Sequence, residues 1–273
     1  MRIAVVAPAR SISQEGAARV AAFTALYYPQ VEIVFDPQCF LEAGHFAGAD
    51  AIRAETFLRY ANDPAFDAIW FGRGGYGSNR ILAEVMPALK PPAHAKAYMG
   101  FSDMGFLLGA LYARRIGRPI HGPMASNVTL ASKGAPVGRA LSWLVNRDRA
   151  VLEPSLGGRP AAAFNLVILT AMIGTPYLPD LTDHVLYIEE VSEAYYRIDR
   201  MMFQLANATQ LKGLAGIRLG AVTDVPEGDG PAEFGETLEA IMDRWCREMG
   251  VPYLGRALIG HAAENWVVPF GVA

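Results

Sequence analysis

A serine, a glutamate and a histidine stand in this chain in settings that suit nucleophilic catalysis. Ser102 follows the apolar run 97–99 and Gly100, and a helical pattern begins directly after it. A serine on a sharp turn between strand and helix presents its hydroxyl above the sheet edge, where the first N–H groups of the helix also point. The alternative is that Ser102 or Asp103 only caps the helix, as serine and aspartate often do. The segment predicts one of these two roles.

Glu189 and His261 could complete the chemistry. Glu189 ends the apolar strand pattern 185–188, and His261 ends a later apolar segment. Active sites of α/β folds collect at the carboxyl ends of strands. Because side chains alternate along a strand, only one of Glu189 and Glu190 can face such a site. The alternative is a charged strand end at the surface, which is the commoner setting for a glutamate. Imidazole removes a hydroxyl proton near neutral pH, and a carboxylate fixes its tautomer, so the order Ser102, Glu189, His261 predicts nucleophile, acid and base.

A glycine cluster, Gly72–Gly77, matches the pattern G-x-G-x-x-G between a strand and a helix. It lies in the third strand–helix unit, and no acidic residue ends a strand about 20 residues later, as a dinucleotide fingerprint requires. Three interpretations remain, in order of preference: half of an oxyanion hole, a turn required by packing, and a phosphate cradle. In the first, the N–H groups of Gly75 and Asp103 hold the oxyanion. Arg73 either binds a substrate carboxylate with two parallel hydrogen bonds or braces the turn.

Strand and helix patterns alternate through the first half of the chain, which predicts right-handed βαβ units on a mostly parallel sheet. The strands are expected at residues 3–6, 31–35, 68–71 and 97–99, and the helices at residues 14–26, 53–61, 81–89 and 105–116. Prolines and glycines then cluster within residues 154–160 and predict a linker or surface loop. Beyond them we expect helices at residues 166–173, 198–206 and 234–249, and strands at residues 184–189, 216–225 and 257–260. The pattern predicts two domains, an α/β domain at residues 1–145 and an α+β domain at residues 160–273.

Composition excludes several classes of protein. Of the 273 residues, 52% are hydrophobic, and the net charge of −3 gives no electrostatic footprint for nucleic acid or an anionic membrane. Cys39 and Cys246 are far apart without a C-x-x-C motif, and we interpret them as buried thiols of a reducing compartment. No H-E-x-x-H spacing occurs, so no metal or other cofactor is expected. The amino terminus predicts a strand and not a signal peptide, and no apolar run reaches about 18 residues, so we expect a soluble cytoplasmic protein.

Several segments together resemble the LD-carboxypeptidase family of serine peptidases. They lie in the family's order over nearly the whole chain: Arg73–Gly77, Gly100–Asp103, His121–Pro123, Gly174–Pro176, Ile188–Val191, Tyr196–Arg200, Gly260 with His261, Asn265, and Pro269–Gly271. The resemblance implies a flavodoxin-like parallel sheet in the amino-terminal domain and a smaller, β-rich α+β carboxy-terminal domain. It also implies a triad of Ser102, Glu189 and His261, the last two supplied by the second domain, and a homodimer.

The resemblance implies a murein peptide substrate. Typical members release the terminal D-alanine of murein tetrapeptides during cytoplasmic cell-wall recycling, whereas a microcin-immunity branch cleaves a peptidyl-nucleotide antibiotic. Residues 152–164 contain no tryptophan, which disfavours the nucleotide branch. Two departures from the family pattern concern substrate preference: Gly105 replaces a threonine, and Ala163 with Phe164 replaces two glycines before Asn165. A non-catalytic nucleotide-binding module that uses Gly72–Gly77 is the alternative from another class.

Overall fold

The chain builds two β-sheets joined by helices. We describe it from a computed structural model, which covers residues 1–127 and 134–272. The first five strands are β1 (Arg2–Val6), β2 (Glu32–Phe35), β3 (Ala68–Phe71), β4 (Ala97–Gly100) and β5 (Arg118–His121). They are all parallel, in the order β5-β4-β3-β1-β2. The helices of this half are α1 (Gln14–Tyr27), α2 (Asp50–Asn62), α3 (Leu82–Ala88), α4 (Gly105–Ala113) and α5 (Ala135–Leu141).

The second sheet is also parallel, in the order β6-β7-β8-β9. Its strands are β6 (Ala161–Asn165), β7 (Val185–Val191), β8 (Gly216–Thr223) and β9 (Tyr253–Arg256), and its helices are α6 (Leu166–Met172), α7 (Tyr195–Asn207), α8 (Pro231–Phe234) and α9 (Leu238–Met249). The final strand, β10 (Val268–Pro269), returns to the first sheet and pairs antiparallel with β5. The expected mixed α/β fold with a mostly parallel first sheet is confirmed, and both sheets turn the carboxyl ends of their strands toward loops that carry polar side chains.

Side-chain alternation divides the core of the first sheet. Ile3 and Val5 pack into one buried cluster, while Ala4 and Val6 pack into another on the opposite face. The second cluster continues through α4 to the second sheet, where it includes Leu186. α4 follows the Ser102 segment and is buried along most of its length, since apolar side chains surround it. The helix that starts at the candidate nucleophile is therefore fixed between the two sheets.

The second half differs from the sequence prediction in several places, one of which is β10, a strand in a tail that was expected to be a loop. β6 was not expected, because its alanine-rich run has little of the β-branched character that marks strands. The long helix expected at 234–249 is two helices, because Gly235 adopts a left-handed conformation and Thr237 caps α9. The strand expected at 257–260 was also wrong. Residues 257–260 make single hydrogen bonds to β8, such as that from the Ala257 N–H to the Leu219 carbonyl at 2.9 Å. The strand that pairs with β8 comes earlier in the chain and is β9.

Candidate active site

Ser102 has a backbone conformation that is uncommon for a serine. Its φ of 59° is left-handed, and it is the first residue of a short 3₁₀ turn that leads into α4. Gly74 lies directly against it: a Cβ at Gly74 would come within 3.0 Å of both the Cβ and the Oγ of Ser102. The cap position of the turn is Phe101, and no side chain there accepts a capping hydrogen bond. The helix-cap interpretation of Ser102 and Asp103 is therefore wrong, and the geometry is that of a strand-to-helix elbow with a partly exposed serine.

Asp103 ties this elbow to the glycine cluster. Its buried carboxylate accepts hydrogen bonds from the N–H of Ser78 at 2.9 Å and of Gly77 at 3.3 Å, and the Ser78 hydroxyl donates to the Asp103 carbonyl at 2.6 Å. Burial raises the pKa of Asp103, and the bonds from Ser78 and Gly77 oppose that rise. These two N–H groups begin the turn after the glycine cluster, where a phosphate cradle would need them. Because a carboxylate of the chain already holds them, the geometry disfavours the nucleotide fingerprint.

The two N–H groups expected to form an oxyanion hole lie in this region. Gly75 has φ 115°, and across the part of the chain that the structure describes no acceptor is found for its N–H. The Asp103 N–H lies in the first turn of a helical segment, where no carbonyl of the same helix can accept it. Arg73 is exposed beside them. The structure adds Arg10, also exposed, whose Cδ would lie 2.5 Å from a Cβ at Gly75, so its stem crosses the glycine cluster.

Glu189 and His261 form a direct pair. His261 Nδ1 lies 2.7 Å from Oε2 of Glu189, which is fully buried within β7. Gly260 makes this contact possible, since a Cβ there would lie 2.8 Å from the Cβ of Glu189. Burial lowers the pKa of His261, but the hydrogen bond and the charge of Glu189 raise it more, and the net shift is upward. The carboxylate thus holds one ring nitrogen and stabilises the charged imidazole.

Glu190 faces another partner. It accepts hydrogen bonds from Asn165 Nδ2 at 2.8 Å and from the Val167 N–H at 2.9 Å, so it holds the start of α6. Burial raises its pKa to about 7, although the bonds from Val191, Asn165 and Val167 act in the opposite direction. Both carboxylates are buried, so the surface interpretation of the pair is wrong.

Phe101 connects the two halves of the site. Its ring centroid lies 4.8 Å from that of His261 and 5.6 Å from that of His121. The structure therefore brings Glu189 and His261 together and packs His261 against the residue that precedes Ser102. Within residues 1–127 and 134–272 no hydrogen bond joins Ser102 to His261.

The two departures from the family pattern meet in space. A Cβ at Gly105 would lie 3.3 Å from Phe164 Cδ1 and 3.1 Å from Ile168 Cγ2. The aromatic ring on β6 thus occupies the room that a larger residue on α4 would need. The elbow helix and the second sheet are fitted to each other through this contact.

This contact gives a stability prediction. We expect Gly105→Thr to destabilise the protein by about 1–3 kcal/mol, because three added heavy atoms overpack a filled core. Phe164→Ala should cost about 3–5 kcal/mol through the cavity it leaves. The double variant should lose less than the sum, by about 1 kcal/mol or more, because the threonine enters the space that the ring vacates. Urea unfolding of the four proteins measures the coupling, and strict additivity would contradict the proposed fit.

Metal-ligand clusters and membrane-spanning helices are both absent from the described residues. Residues 1–127 and 134–272 contain no group of three His, Cys, Asp or Glu side chains that could hold a metal ion. No helix within these ranges is long and apolar enough to cross a membrane. Cys39 and Cys246 are both free and buried, and burial raises the pKa of each thiol to about 12.

Family models match both halves of the chain. The LD-carboxypeptidase N-terminal domain matches residues 3–122, and the LD-carboxypeptidase C-terminal domain matches residues 161–273. The chain is 30% identical to the murein tetrapeptide carboxypeptidase of Pseudomonas aeruginosa, over 99% of this chain and 91% of that protein.

Solved structures share the fold. A muramoyltetrapeptide carboxypeptidase from Oxalobacter formigenes superposes with a TM-score of 0.80 at 21% identity, covering 99% of this chain and 93% of that one. The protein MccF, solved in complex with glutamyl sulfamoyl guanosine, gives a TM-score of 0.77 at 16% identity over 99% and 91% of the two chains.

Proposed function

The chain belongs to the LD-carboxypeptidase family, and we propose that it is a serine carboxypeptidase that releases the terminal D-alanine of murein tetrapeptides in cell-wall recycling. The observation that carries the proposal is the left-handed Ser102 at a strand-to-helix elbow, together with the buried Glu189 bonded to His261. The relative from Pseudomonas aeruginosa supports the substrate class. In this proposal residues 1–145 form the flavodoxin-like domain with the elbow, and residues 160–273 supply Glu189 and His261.

The proposed chemistry needs no group beyond these side chains and water. His261 takes the hydroxyl proton of Ser102 while the serine oxygen attacks the carbonyl carbon of the L,D-peptide bond. The N–H groups of Gly75 and Asp103 stabilise the oxyanion of the tetrahedral intermediate. His261 then gives its proton to the leaving nitrogen of D-alanine, and Glu189 stabilises the imidazolium between the two transfers. Water, activated by His261, hydrolyses the acyl-enzyme and regenerates Ser102.

A substrate panel tests the proposal. The protein is incubated with a murein tetrapeptide, with the same peptide amidated at its carboxyl terminus, and with an aminoacyl-nucleotide amide, and products are measured by mass spectrometry. We expect release of D-alanine from the free acid alone. Cleavage of the nucleotide conjugate alone would move the chain to the microcin-immunity type. The absence of any cleavage, with micromolar binding of NAD, ATP or FMN by calorimetry, would favour a nucleotide-binding module.

A guanidinium should bind the free carboxylate of the substrate. Arg73 and Arg10 both lie exposed beside Gly75. A lysine keeps the charge but loses the two parallel hydrogen bonds. For the arginine that binds the carboxylate, we expect Arg→Lys to raise KM about tenfold, the equivalent of about 1.4 kcal/mol, and to change kcat less.

The control for this prediction is Arg19→Lys, since Arg19 pairs with Glu15 on α1. Steady-state kinetics on the free-acid peptide separates KM from kcat for all three variants. If Arg73→Lys and Arg10→Lys both keep the KM of the wild type, the carboxylate is bound elsewhere.

We also propose that the protein is cytoplasmic and forms a homodimer. The site of the proposed recycling reaction and the family resemblance support these two assignments. Multi-angle light scattering at micromolar concentration tests the second, and a monomer alone would remove it.

A further inference from the structure

A buried polar link joins the strand beside the candidate nucleophile to the turn that carries His261. His121 ends β5, where its Cα pairs with that of Gly100 on β4. Its Nε2 lies 3.1 Å from Oδ1 of Asn265, and the same oxygen accepts the N–H of Gly260 at 3.0 Å. Gly260 directly precedes His261. Both linking side chains are buried, at 1% and 3% exposure.

The hydrogen-bond pattern determines the orientation of both side chains. The Gly260 N–H can only donate, so the amide atom of Asn265 that faces it must be the oxygen. His121 Nε2 faces the same oxygen and therefore carries a hydrogen. A flipped amide would set its NH₂ group against both donors. Burial lowers the pKa of His121 to about 4, although the charge of Glu189 and the hydrogen bonds to Asn265 and to the Ala163 backbone act in the opposite direction, so the ring is neutral at physiological pH.

This arrangement leaves one polar atom of the Asn265 side chain without a partner among the described residues. Among the described residues its Nδ2 is buried without a hydrogen-bond partner, and a buried donor left unpaired destabilises the folded protein. The amide is held by its oxygen alone, which indicates that the acceptor is what the site requires.

We propose that His121 and Asn265 are positioning residues, which hold the Gly260 turn so that His261 lies against Glu189 and within reach of Ser102. Ser102 is positioned by β4, and His261 follows the second sheet by way of a loop. The pairing of β4 with β5 fixes His121 relative to the elbow, and the link through Asn265 transmits that position to His261. Phe101 packs against both histidine rings and completes the connection. The inference rests on the serine chemistry proposed above.

The test uses variants that keep or remove the donor of the link. His121→Phe keeps a ring without the donor, and His121→Gln keeps an N–H donor that can reach Asn265. Asn265→Leu removes the acceptor at similar volume. His184→Phe is the matched control. His184 is also buried, and its Nε2 lies 2.7 Å from Oη of Tyr112 on α4, outside the link. Thermal unfolding and circular dichroism establish that each variant folds.

Two readouts report the position of His261 without a murein substrate. One is the pKa of the His261 imidazole by NMR titration, and the other is the rate at which a fluorophosphonate labels Ser102. We expect His121→Phe and Asn265→Leu each to lower the His261 pKa toward about 6.5, its ordinary value. Because His121 is uncharged, that change must come through geometry. Labelling should slow by about 100-fold, the usual effect of a misplacement of about 1 Å.

The remaining variants make the inference falsifiable. His121→Gln should restore most of both readouts, and the double variant His121→Phe/Asn265→Leu should lose no more than the worse single variant, because both break one link. Folded His121→Phe and Asn265→Leu proteins with the wild-type His261 pKa would overturn the inference. If the wild type is not labelled at all, the serine chemistry fails, and the NMR titration still decides whether the link positions His261.

Discussion

Replacement of Ser102 by alanine is expected to lower kcat by about 10⁴-fold or more while leaving the fold intact. The hydroxyl belongs to the one side chain in the proposed reaction that bonds to the substrate carbon, so no neighbouring side chain can replace it. Its loss removes one heavy atom from a partly exposed position. In the left-handed region, alanine is less favourable than serine by no more than a fraction of a kcal/mol. Release of D-alanine from the tetrapeptide measures the loss, and the unfolding temperature measures the fold.

Ser192→Ala is the control for that experiment. Ser192 also has a left-handed backbone, with φ 61°, and it is exposed at the end of β7. The two variants therefore make the same chemical change at the same type of backbone position. We expect Ser192→Ala to keep wild-type turnover. If Ser102→Ala also keeps it, the assignment of the nucleophile is wrong.

Replacement of Glu189 by glutamine is expected to lower kcat by about 10⁴-fold as well, the scale known for the equivalent change in a serine triad. The amide can donate to His261 Nδ1 and stabilise the tautomer that places the hydrogen on the wrong nitrogen. The variant should also show a different pH profile. In the wild type, Glu189 raises the pKa of His261, so kcat/KM should fall on the acid side as pH drops through a value above about 6.5.

In Glu189→Gln this rise of the pKa is lost, so the His261 ring stays neutral to lower pH. The acid limb of the residual activity should therefore move to lower pH, while its plateau falls. Glu153→Gln is the control for loss of a buried carboxylate, because Glu153 is 3% exposed and bonds Ser155 instead. An acid limb at unchanged pH in Glu189→Gln, measured as kcat/KM from pH 5 to 9, would contradict the assigned role of Glu189.

The candidate catalytic residues could be predicted because the ends of strands can be recognised in the sequence. Apolar runs that stop at a polar residue marked Ser102 and Glu189, and parallel strands gather their carboxyl ends at one edge. Glu189 lies in β7, in agreement with that rule, whereas His261 lies in a loop after β9, and the roles of the three residues remain predictions. By the same rule Arg10 follows β1 and could have been found, but its neighbours in sequence carry no motif.

Other features depend on contacts that a single sequence does not display. Whether Asp103 faces a substrate or binds Ser78 is decided by how closely the glycine cluster approaches the elbow. β6 is held as a strand by its pairing with β7, which outweighs the weak propensity of its alanines. The partnership of Gly105 with Phe164 joins residues far apart in the chain, and each alone is only an unexplained departure from the pattern.

The return of β10 to the first sheet has a consequence for synthesis on the ribosome. β5 is complete once His121 has been synthesised, but β10, the strand that covers its edge, is not complete until Pro269. At about 5–20 residues per second, the nascent chain carries an open edge for on the order of 10 s. An open edge can pair with other chains, so during this interval the edge of β5 is exposed to aggregation. His261 emerges in the same late segment, so in the proposed mechanism the nascent protein has its candidate nucleophile before it has its candidate base.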